Sequence, residues 1–508
     1  MKFIFCCVLL VASYAGAQSP PRQYAERFNR LDRFGAPNAI PNAQAPAWLD
    51  SNVPVLECPD KGMEETYYFR WWTYRKHLKE TPAGMIVTEF LPNVPWAGKF
   101  NSISCAAGHH IYEGRWLRSP EYLDDYSRFW FRGGGEPRRY SFWAADAIYA
   151  RYLANGQKAL PLDLLDDLAA NYKQWEKTNL DANGLFWQID DRDGMEISIG
   201  GSGYRPTINA YMAGDASAIA RIARLAGRND VARDFEARSA RLKNLLNARL
   251  WDEQAAFYKT IPRGKDSLVN VREEIGFVPW YFNLPPPGRE AAWKQILDSQ
   301  GFQAPFGPTT AERRHPRFRF ANKHECLWNG PSWPFATTQT LVAMANLLNN
   351  YKQDVIAKRD YFDLLQVYTR SHRIKQADGS VVPWIDEDLD PDTGAWIARD
   401  ILHAANDPNK DRGRDYNHSG YTDLIITGLA GLRPRADEIV EVNPLLPEGT
   451  WDYFRLSGVP YHGRLLTIQY DKTGKRFGKG SGLRVFAGDK LIASSPGLGK
   501  ITGPLETK

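Results

Sequence analysis

The sequence predicts a mainly α-helical body followed by a small antiparallel β unit. Seven segments between residues 61 and 432 repeat apolar residues at three- and four-residue spacing, which is typical of helices that bury one face. After residue 433 the pattern changes to short alternating runs separated by Pro, Gly and Asp, as in strands joined by tight turns. With 508 residues and 43% hydrophobic composition, the chain can bury a large core and should contain more than one structural unit.

The first seventeen residues predict a signal peptide. Lys2 supplies a positive end, residues 3–14 are largely apolar, and residues 15–17 are the small residues of a cleavage site. We therefore expect export, with cleavage near Gln18 and a secreted or periplasmic location. No later stretch is long and apolar enough to span a bilayer, so we expect no membrane association after cleavage.

The segment from residue 18 to 60 is rich in Pro, Ala and Asn and shows little periodicity, so we expect an extended arm that lies over the body. The helical body is expected over residues 61–432. Its predicted helices are 141–153, 161–179, 207–225, 231–250, 289–300, 337–348 and 358–375. The connecting loops carry the Gly, Pro, Trp and acidic residues, which places the chemistry at one end of the helical assembly.

Residues 433–508 predict a β-sandwich-like domain made of brief antiparallel strands. The expected strands are 438–442, 453–456, 465–470, 483–487 and 491–494. Because they are short and follow the helices directly, we expect this domain to pack on the helical body as a structural cap.

Charge and cysteine content exclude several classes of protein. The net charge of +5 is spread over 64 basic and 59 acidic residues without a run of one sign, so nucleic acid is not an expected partner. After signal cleavage three cysteines remain, Cys58, Cys105 and Cys326, with no metal-binding spacing. At most one disulfide can form, and we expect Cys105 and Cys326 to be free thiols in buried aromatic segments.

Two distant stretches, residues 190–196 and 384–394, concentrate carboxylates beside Trp and Gly. Cleavage of a glycosidic bond needs one carboxylic acid to protonate the leaving oxygen and one carboxylate to activate water or attack carbon. Either stretch is also explained as a solvent-facing turn, because Asp and Gly form turns readily. A calcium loop is a further alternative for residues 390–394, although the spacing is not that of an EF-hand.

Three motifs in order resemble the six-hairpin (α/α)6 toroid glycosidases, in particular glycoside hydrolase family 63 and the related mannosylglycerate-hydrolase-like and trehalase groups. Residues 193–196 resemble the segment that supplies the general acid, and residues 204–211 resemble the helix start after it. Residues 328–334 resemble the Gly-Pro-x-Trp segment that lines the sugar pocket. Residues 387–394 resemble the segment that supplies the general base.

The resemblance implies an (α/α)6 toroid, inversion of configuration, Glu196 as the acid and Glu387 as the base. This sequence has Glu196 where the family has Asp, so Asp193 or Asp191 could serve instead. Inversion requires carboxyl groups roughly 6.5 to 9.5 Å apart. A hydrophobic flank would keep the acid protonated, and a cation such as Arg205 or Arg399 is expected to keep the base ionised.

Further residues are candidates for sugar binding because aromatic faces and polar side chains cluster near these motifs. They are Trp71, Trp96, His109, His110, Trp143, Asp146, Arg205, Glu325, Trp328, Asn329, Trp333, Trp384 and His418. Core packing is an equal alternative for Trp71 and Trp96, and a helix-face charge for Asp146. The adjacent histidines point apart on a helix, so a zinc site is not expected, and one of them could instead bond a backbone carbonyl.

These observations favour an exported inverting exo-glycosidase that acts on a plant or microbial glycan and needs no metal or cofactor. Two alternatives remain open at the sequence level. A polysaccharide lyase can use a similar helical toroid, and a non-catalytic glycan-binding protein would keep the aromatic residues. Neither the sugar nor the oligomeric state follows from the sequence.

Overall fold

The computed structural model describes residues 19–505, so the predicted signal peptide lies outside the described residues. The α-helices are α1 (Pro20–Leu31), α2 (Ala45–Asn52), α3 (Lys61–Lys76), α4 (Ala107–Gly114), α5 (Glu121–Arg132), α6 (Ala144–Asn155), α7 (Ala159–Asp163), α8 (Leu165–Asn179), α9 (Pro206–Leu225), α10 (Asn229–Arg249), α11 (Val278–Tyr281), α12 (Pro334–Asn350), α13 (Lys358–Ser371), α14 (Ile397–Ala404) and α15 (Tyr421–Asp423). The strands are β1 (Val55–Glu57), β2 (Leu78–Thr81), β3 (Gly84–Val87), β4 (Trp251–Asp252), β5 (Phe257–Tyr258), β6 (Arg373–Lys375), β7 (Val381–Pro383), β8 (Leu432–Arg433), β9 (Ile439–Val442), β10 (Tyr453–Tyr461), β11 (Arg464–Asp471), β12 (Gly482–Ala487), β13 (Lys490–Ser495) and β14 (Ile501–Pro504). Short 3₁₀ helices lie at Asn42–Gln44, Lys99–Asn101, Asp191–Asp193, Glu274–Phe277 and Glu290–Ile296, and a π-helical turn lies at Leu424–Leu429.

Burial divides the helices into an inner set and an outer set. α3, α9 and α12 bury most of their side chains all round, whereas α10 buries a stripe formed by Ala232, Phe235, Leu242 and Leu246. A helix that is buried on all sides lies inside a helical assembly, and a helix with one buried stripe covers it from outside. α10 packs along α9 in this way. The predicted mainly helical body is therefore confirmed.

The N-terminal segment differs from the expected extended arm because it forms the two helices α1 and α2. Ser19 caps α1 by accepting the N–H of Arg22, and prolines occupy its first turn, where a missing N–H does no harm. Phe28 of α1 packs against Phe69 and Trp72 of α3, with ring centroids 5.6 and 5.8 Å apart. The high proline content, interpreted as a sign of extended chain, in fact marks the starts of helices.

The C-terminal unit contains two antiparallel sheets, as expected for strands with alternating burial. One sheet has the order β1-β10-β11-β12-β13, and the other has the order β14-β9-β8. β1 comes from the N-terminal segment and pairs with β10, with Leu56 opposite Leu456. The first sheet is therefore built from residues that lie some four hundred positions apart in the chain.

Two predicted helices end earlier or adopt another form. The segment predicted as a helix at 289–300 is a 3₁₀ helix at Glu290–Ile296. The helix predicted at 358–375 ends at Ser371, because the chain then turns into the β6–β7 hairpin.

Within residues 19–505, no helix combines the length and the apolar character that a bilayer span requires. Cys58, Cys105 and Cys326 are all free thiols, as expected for Cys105 and Cys326.

Candidate active site

A cavity of about 290 Å³ lies where four inner segments of the helical body begin. Its walls include Tyr140, Glu196, Trp333 and His418, which stand shortly before α6, α9, α12 and α15. The remaining lining residues are Glu89, Phe90, Trp96, Ile103, Cys105, Asp191, Arg192, Gly194, His324, Glu325, Cys326, Trp328, Phe335, Glu387, Arg412 and Tyr416. The size and mixed apolar and polar lining are those of a small-molecule site.

Backbone hydrogen bonds join the loops that form the cavity. The N–H of Trp328 donates to the carbonyl of Glu196 at 3.0 Å. Ser332 and Leu389 exchange two hydrogen bonds of 2.9 Å, and this pairing fixes the loop that carries Glu387. Glu196 and Glu387, separated by nearly two hundred residues in the sequence, therefore line one cavity.

A tight turn presents Glu196 to the cavity. The 3₁₀ helix Asp191–Asp193 ends at Gly194 in the left-handed conformation with φ 71°, and an added Cβ would lie 3.3 Å from the Cβ of Cys105. Directly after Glu196, Ile197 also has a positive φ of 61°, which is uncommon for a β-branched residue. Strained backbone of this kind is found at functional sites, where the surrounding structure holds a side chain in place.

Burial raises the pKa of the Glu196 carboxyl to about 8, and the neighbouring Asp191 and Glu387 carboxylates act in the same direction. A carboxyl with this pKa is mostly protonated at pH 7. Glu196 can therefore donate a proton to a leaving group, which is the property required of a general acid.

Glu387 is only 2% exposed and forms an ion pair with Arg412, whose Nε lies 2.7 Å from Oε1. The thiol of Cys326 donates to Oε2 at 3.0 Å. Arg412 also pairs with Glu325 at 2.7 Å and lies over the Trp96 ring, 4.9 Å from its centroid. Arg412 therefore places a positive charge directly against the Glu387 carboxyl.

The cation beside Glu387 is thus Arg412 and not Arg205 or Arg399, which the sequence suggested. Arg399 pairs with Asp411 at 2.8 Å and lies 3.8 Å from Asp386. Burial, together with the Glu387 carboxylate, raises the pKa of Asp386 to about 7. The acidic neighbours of Glu387 are therefore partly neutralised by protonation.

Glu89 is a further carboxyl in the cavity, and the sequence did not indicate it. It follows β3 and is 2% exposed. Its carbonyl accepts the N–H of Asn417 at 3.1 Å, and its side chain accepts the hydroxyl of Tyr416. Burial raises its pKa to about 8, and Glu387 adds to the rise. The run Thr88-Glu89-Phe90 carries no pattern that would have identified it.

Five of the predicted sugar-binding residues do line the cavity: Trp96, Glu325, Trp328, Trp333 and His418. The rings of Trp328 and Trp333 stack with centroids 4.7 Å apart at an angle of 16°. Burial lowers the pKa of His418 well below its usual value, so this ring is neutral. The stacked indoles and neutral imidazole suit the apolar and hydroxyl-bearing faces of a sugar.

Asp193 and Arg205 lie outside the cavity, contrary to their predicted roles. Their side chains are fully buried and form an ion pair of 2.7 Å, and Asp193 also accepts the hydroxyl of Thr207. This pair ties the turn before Glu196 to the first turn of α9. Asp193 therefore does not face a substrate, whereas the other alternative acid, Asp191, does line the cavity.

Five more predicted binding residues belong to the protein core. Trp71 and Trp143 are fully buried and pack against other aromatic rings. His109 stacks edge-on between two aromatic rings, and His110 bonds a tyrosine hydroxyl and a backbone carbonyl. The amide of Asn329 donates to a backbone carbonyl at 2.9 Å. Core packing, the alternative given for Trp71, and the backbone-carbonyl bond given for one of the histidines are what the structure shows, and none of the five residues lines the cavity.

Asp146 and Trp384 line two other cavities. Asp146 accepts the Tyr112 hydroxyl at 2.6 Å beside a cavity of about 410 Å³. Trp384 lies beside a cavity of about 330 Å³ and donates from Nε1 to Asp386 at 3.3 Å. Trp384 therefore contacts the loop of the base without entering its cavity.

The segment from Asp390 to Thr393 forms a turn, and the calcium alternative is not supported. One Asp390 oxygen accepts the N–H groups of Asp392 and Thr393, and the other pairs with Arg319 at 2.7 Å. Arg313 pairs with Asp392 at 2.9 Å. Among residues 19–505 no group of three or more His, Cys, Asp or Glu side chains has the geometry to hold a metal ion.

Comparison with known proteins gives two matches to family models. The mannosylglycerate hydrolase MGH1-like glycoside hydrolase domain matches residues 99–419. The C-terminal domain of glycosyl hydrolase family 65 matches residues 432–493. The residues between the two matches, 420–431, contain α15 and the π-helical turn, and the second match begins with β8.

A solved structure named sialidase is 46% identical to this chain, with a TM-score of 0.89. The alignment covers 95% of this chain and 44% of the sialidase chain. The chain thus spans less than half the length of that relative.

Two structures of low identity share the fold. The family 63 mannosylglycerate hydrolase from Thermus thermophilus is 13% identical, with a TM-score of 0.51 over 71% of this chain and 100% of its own. The family 78 rhamnosidase from a Bacillus species is 12% identical, with a TM-score of 0.53 over 82% of this chain and 40% of its own. These neighbours confirm the predicted (α/α)6 toroid with its C-terminal β domain. Because the family model spans most of the helical body and encloses both Glu196 and Glu387, the protein belongs to the MGH1-like family of glycoside hydrolases.

Proposed function

We propose that this protein is an exported exo-glycosidase that hydrolyses a terminal sugar from a plant or microbial glycan with inversion of configuration. One observation carries the proposal: a single cavity holds a protonated carboxyl, Glu196, and a carboxyl paired with an arginine, Glu387. An inverting glycosidase needs this pair of opposite protonation states. Export is supported by the signal-peptide pattern of the first seventeen residues.

The proposed reaction is a single displacement. Glu196 transfers its proton to the glycosidic oxygen as the bond from that oxygen to the anomeric carbon breaks. Glu387 takes a proton from a water molecule, and the water oxygen bonds to the anomeric carbon on the opposite face of the ring. The products are the free sugar and the leaving alcohol, with Glu196 ionised and Glu387 protonated. Exchange of protons with solvent restores the starting state.

The shape of the cavity supports removal of a terminal residue. A volume of about 290 Å³ is at the small end of ligand pockets. Trp96 and the stacked Trp328 and Trp333 in the lining provide flat faces against which a sugar ring can pack. A small pocket of this kind suits a chain end better than the interior of a polymer.

A sialoside hydrolase is the second candidate, because the relative named sialidase is 46% identical over 95% of this chain. That relative is more than twice as long, so its activity does not transfer directly. Sialic acid carries a carboxylate next to the anomeric carbon, and a site for it needs a cation that is free to bind this group.

The test is a screen of aryl glycosides and plant oligosaccharides, with the anomer of the first product followed by NMR. We expect hydrolysis of at least one substrate with inversion, and loss of several orders of magnitude in kcat for Glu196→Gln and for Glu387→Gln. Glu290→Gln is the matched control, because Glu290 is a buried glutamate outside the cavity. Near wild-type activity in either active-site variant would remove that residue from the mechanism.

The same screen distinguishes the other classes of protein. Products that absorb in the ultraviolet would indicate a lyase, which forms a double bond by removing a proton. Binding of oligosaccharides without turnover, unchanged in Glu387→Gln, would indicate a non-catalytic glycan-binding protein.

A further inference from the structure

The charged groups of the cavity restrict which sugars it can accept. Two arginines line it, and each already has carboxylate partners. Arg412 pairs with Glu387 and Glu325, both at 2.7 Å. Arg192 lies 3.7 Å from Asp191. Within residues 19–505, the lining therefore offers a sugar no arginine or lysine that is without a carboxylate partner.

Carboxyl groups outnumber these cations. Five of them line the cavity: Glu89, Asp191, Glu196, Glu325 and Glu387. Glu89 and Glu196 are mostly neutral at pH 7, and the other three carboxyls still outnumber the two arginines. A sugar that brings its own carboxylate would therefore lose its hydration without gaining a cation that lacks a carboxylate partner. Built-in repulsion of this kind is a common source of specificity.

Glu89 has surroundings unlike those of the other buried carboxyl, Glu387. Among the described residues 19–505, no Arg, Lys or His forms an ion pair with Glu89. Its contacts are the hydroxyl of Tyr416 and the thiol of Cys105, whose Sγ lies 3.8 and 3.7 Å from the two carboxyl oxygens. Both contacts are uncharged groups. A carboxyl that is 2% exposed and lacks a cation is stable as the neutral acid, in agreement with its raised pKa of about 8.

A neutral carboxyl suits a sugar hydroxyl. It has one O–H donor and a carbonyl oxygen that accepts, so it can bond a hydroxyl in both directions. Glu89 stands apart from the proton-transfer roles given to Glu196 and Glu387, so its hydrogen bonds are available for binding. Its burial makes a lost partner costly, because a buried polar group without hydrogen bonds is destabilised.

We propose that Glu89 is a specificity-determining residue that binds a hydroxyl of the sugar in this cavity, and that the cavity accepts an uncharged ring and excludes sialic and uronic acids. The inference rests on the proposed function, because it concerns the substrate of the same site. It also decides between the two candidates above, in favour of a neutral glycoside.

The first test measures binding with catalysis removed. Glu387→Gln is titrated with methyl glycosides of glucose, galactose, mannose and rhamnose, and separately with methyl glucuronide, methyl galacturonide and methyl N-acetylneuraminide, followed by ligand-observed NMR. We expect at least one neutral glycoside to bind at least tenfold more tightly than every acidic one. Equal or tighter binding of an acidic glycoside would overturn the proposal. The same titration with the wild-type chain excludes an effect of the substitution.

The second test separates hydrogen bonding from charge at Glu89. Glu89→Gln keeps an uncharged donor and acceptor of the same shape, so kcat/KM for the best neutral substrate should stay within about fivefold of wild type. Glu89→Ala removes both bonds, and kcat/KM should fall roughly 10- to 200-fold, mainly through KM. Equal activity of Glu89→Ala and wild type would overturn the role of Glu89, and so would an equal loss in both variants. Melting temperatures establish that each variant is folded.

A third variant keeps the test decisive if Glu89→Ala does not fold. Tyr416→Phe removes only the hydroxyl that donates to Glu89, and we expect a two- to tenfold rise in KM with little change in kcat. An unchanged KM would contradict the proposal that Glu89, held by the Tyr416 hydroxyl, binds the sugar. Failure of the proposed function has a different signature, because neutral glycosides would then bind with the predicted preference while no substrate is hydrolysed.

Discussion

Replacing Arg412 by Met tests whether one arginine holds the proposed base in its ionised form. The side chains have similar length, so the change removes a charge while leaving an apolar body beside Trp96. Arg412 is 2.7 Å from Glu387 and 2.7 Å from Glu325, and its own side chain is 6% exposed. Glu387 is 2% exposed, so water cannot replace the lost cation.

The size of the effect follows from the geometry. Two unit charges about 4 Å apart interact by about 4 kcal/mol at an effective dielectric constant of 20. Removing one partner of a buried ion pair costs about 3–5 kcal/mol, in agreement with this figure. The chain can respond by losing stability or by protonating Glu387. If protonation absorbs most of the change, the acid limb moves up by about 2 to 3 pH units, and at a pH below both limbs kcat/KM falls by about 10²- to 10³-fold, since each 1.4 kcal/mol is a factor of ten.

The assay is the pH profile of kcat/KM together with the melting temperature. Loss of a positive neighbour disfavours the ionised carboxyl, so the acid limb of the profile should move to higher pH. The alkaline limb, set by Glu196, should stay where it is, and the profile should become narrower. Arg399→Met is the matched control, because Arg399 pairs with Asp411 and does not line the cavity. A wild-type profile and melting temperature in Arg412→Met would refute the reasoning.

Two further predictions concern the same loops. Burial raises the pKa of Glu196 to about 8, so kcat/KM should fall above about pH 8. The folded chain also binds this proton more tightly than the unfolded chain does. The free energy of unfolding that this group contributes should therefore decrease as the pH rises from about 4.5 to 8. Glu196→Gln should therefore be inactive yet melt at the wild-type temperature or higher at pH 8, and a lower melting temperature would contradict burial as the cause. In Gly413→Ala the new Cβ would lie 1.9 Å from Oδ1 of Asp386 and 3.1 Å from Cγ of Glu387, so kcat should fall at least tenfold. Gly499→Ala is the control, because an added Cβ there meets nothing within 4 Å and the backbone is not left-handed; equal activity of both alanine variants would show that the loop adjusts freely.

That Glu196 and Glu387 line one cavity could be predicted from the sequence, because chemistry and motif order point to the same residues. Glu196 and Glu387 each stand in a recognisable run, and their family positions require them to meet. The helices could also be predicted, because the spacing of apolar residues in the local sequence determines which face of a helix is buried. The prediction of an extended arm over residues 18–60 was wrong, because Ser19 and the prolines after it begin α1.

The supporting residues could not be predicted because their roles arise from packing between distant segments. Arg412 lies 25 residues after Glu387 in an ordinary basic run, and only the folded loop brings them together. Glu89 gains its neutral surroundings from Tyr416, which is 327 residues away. Asp193 and Arg205 were predicted as site residues because an acidic and a basic side chain near the acid motif are typical of a site. In the structure they form a buried ion pair that fixes a turn, and such a pair uses the same residue types.

The pairing of β1 with β10 makes the two ends of the chain dependent on each other. A protein shortened to begin at residue 61 would lose α1, α2 and β1 and would leave β10 as an open sheet edge. An uncovered edge with unpaired N–H and C=O groups recruits strands from other molecules, which leads to aggregation. Expression of the helical body alone should therefore retain residues 19–60, even though none of them contributes a side chain to the cavity.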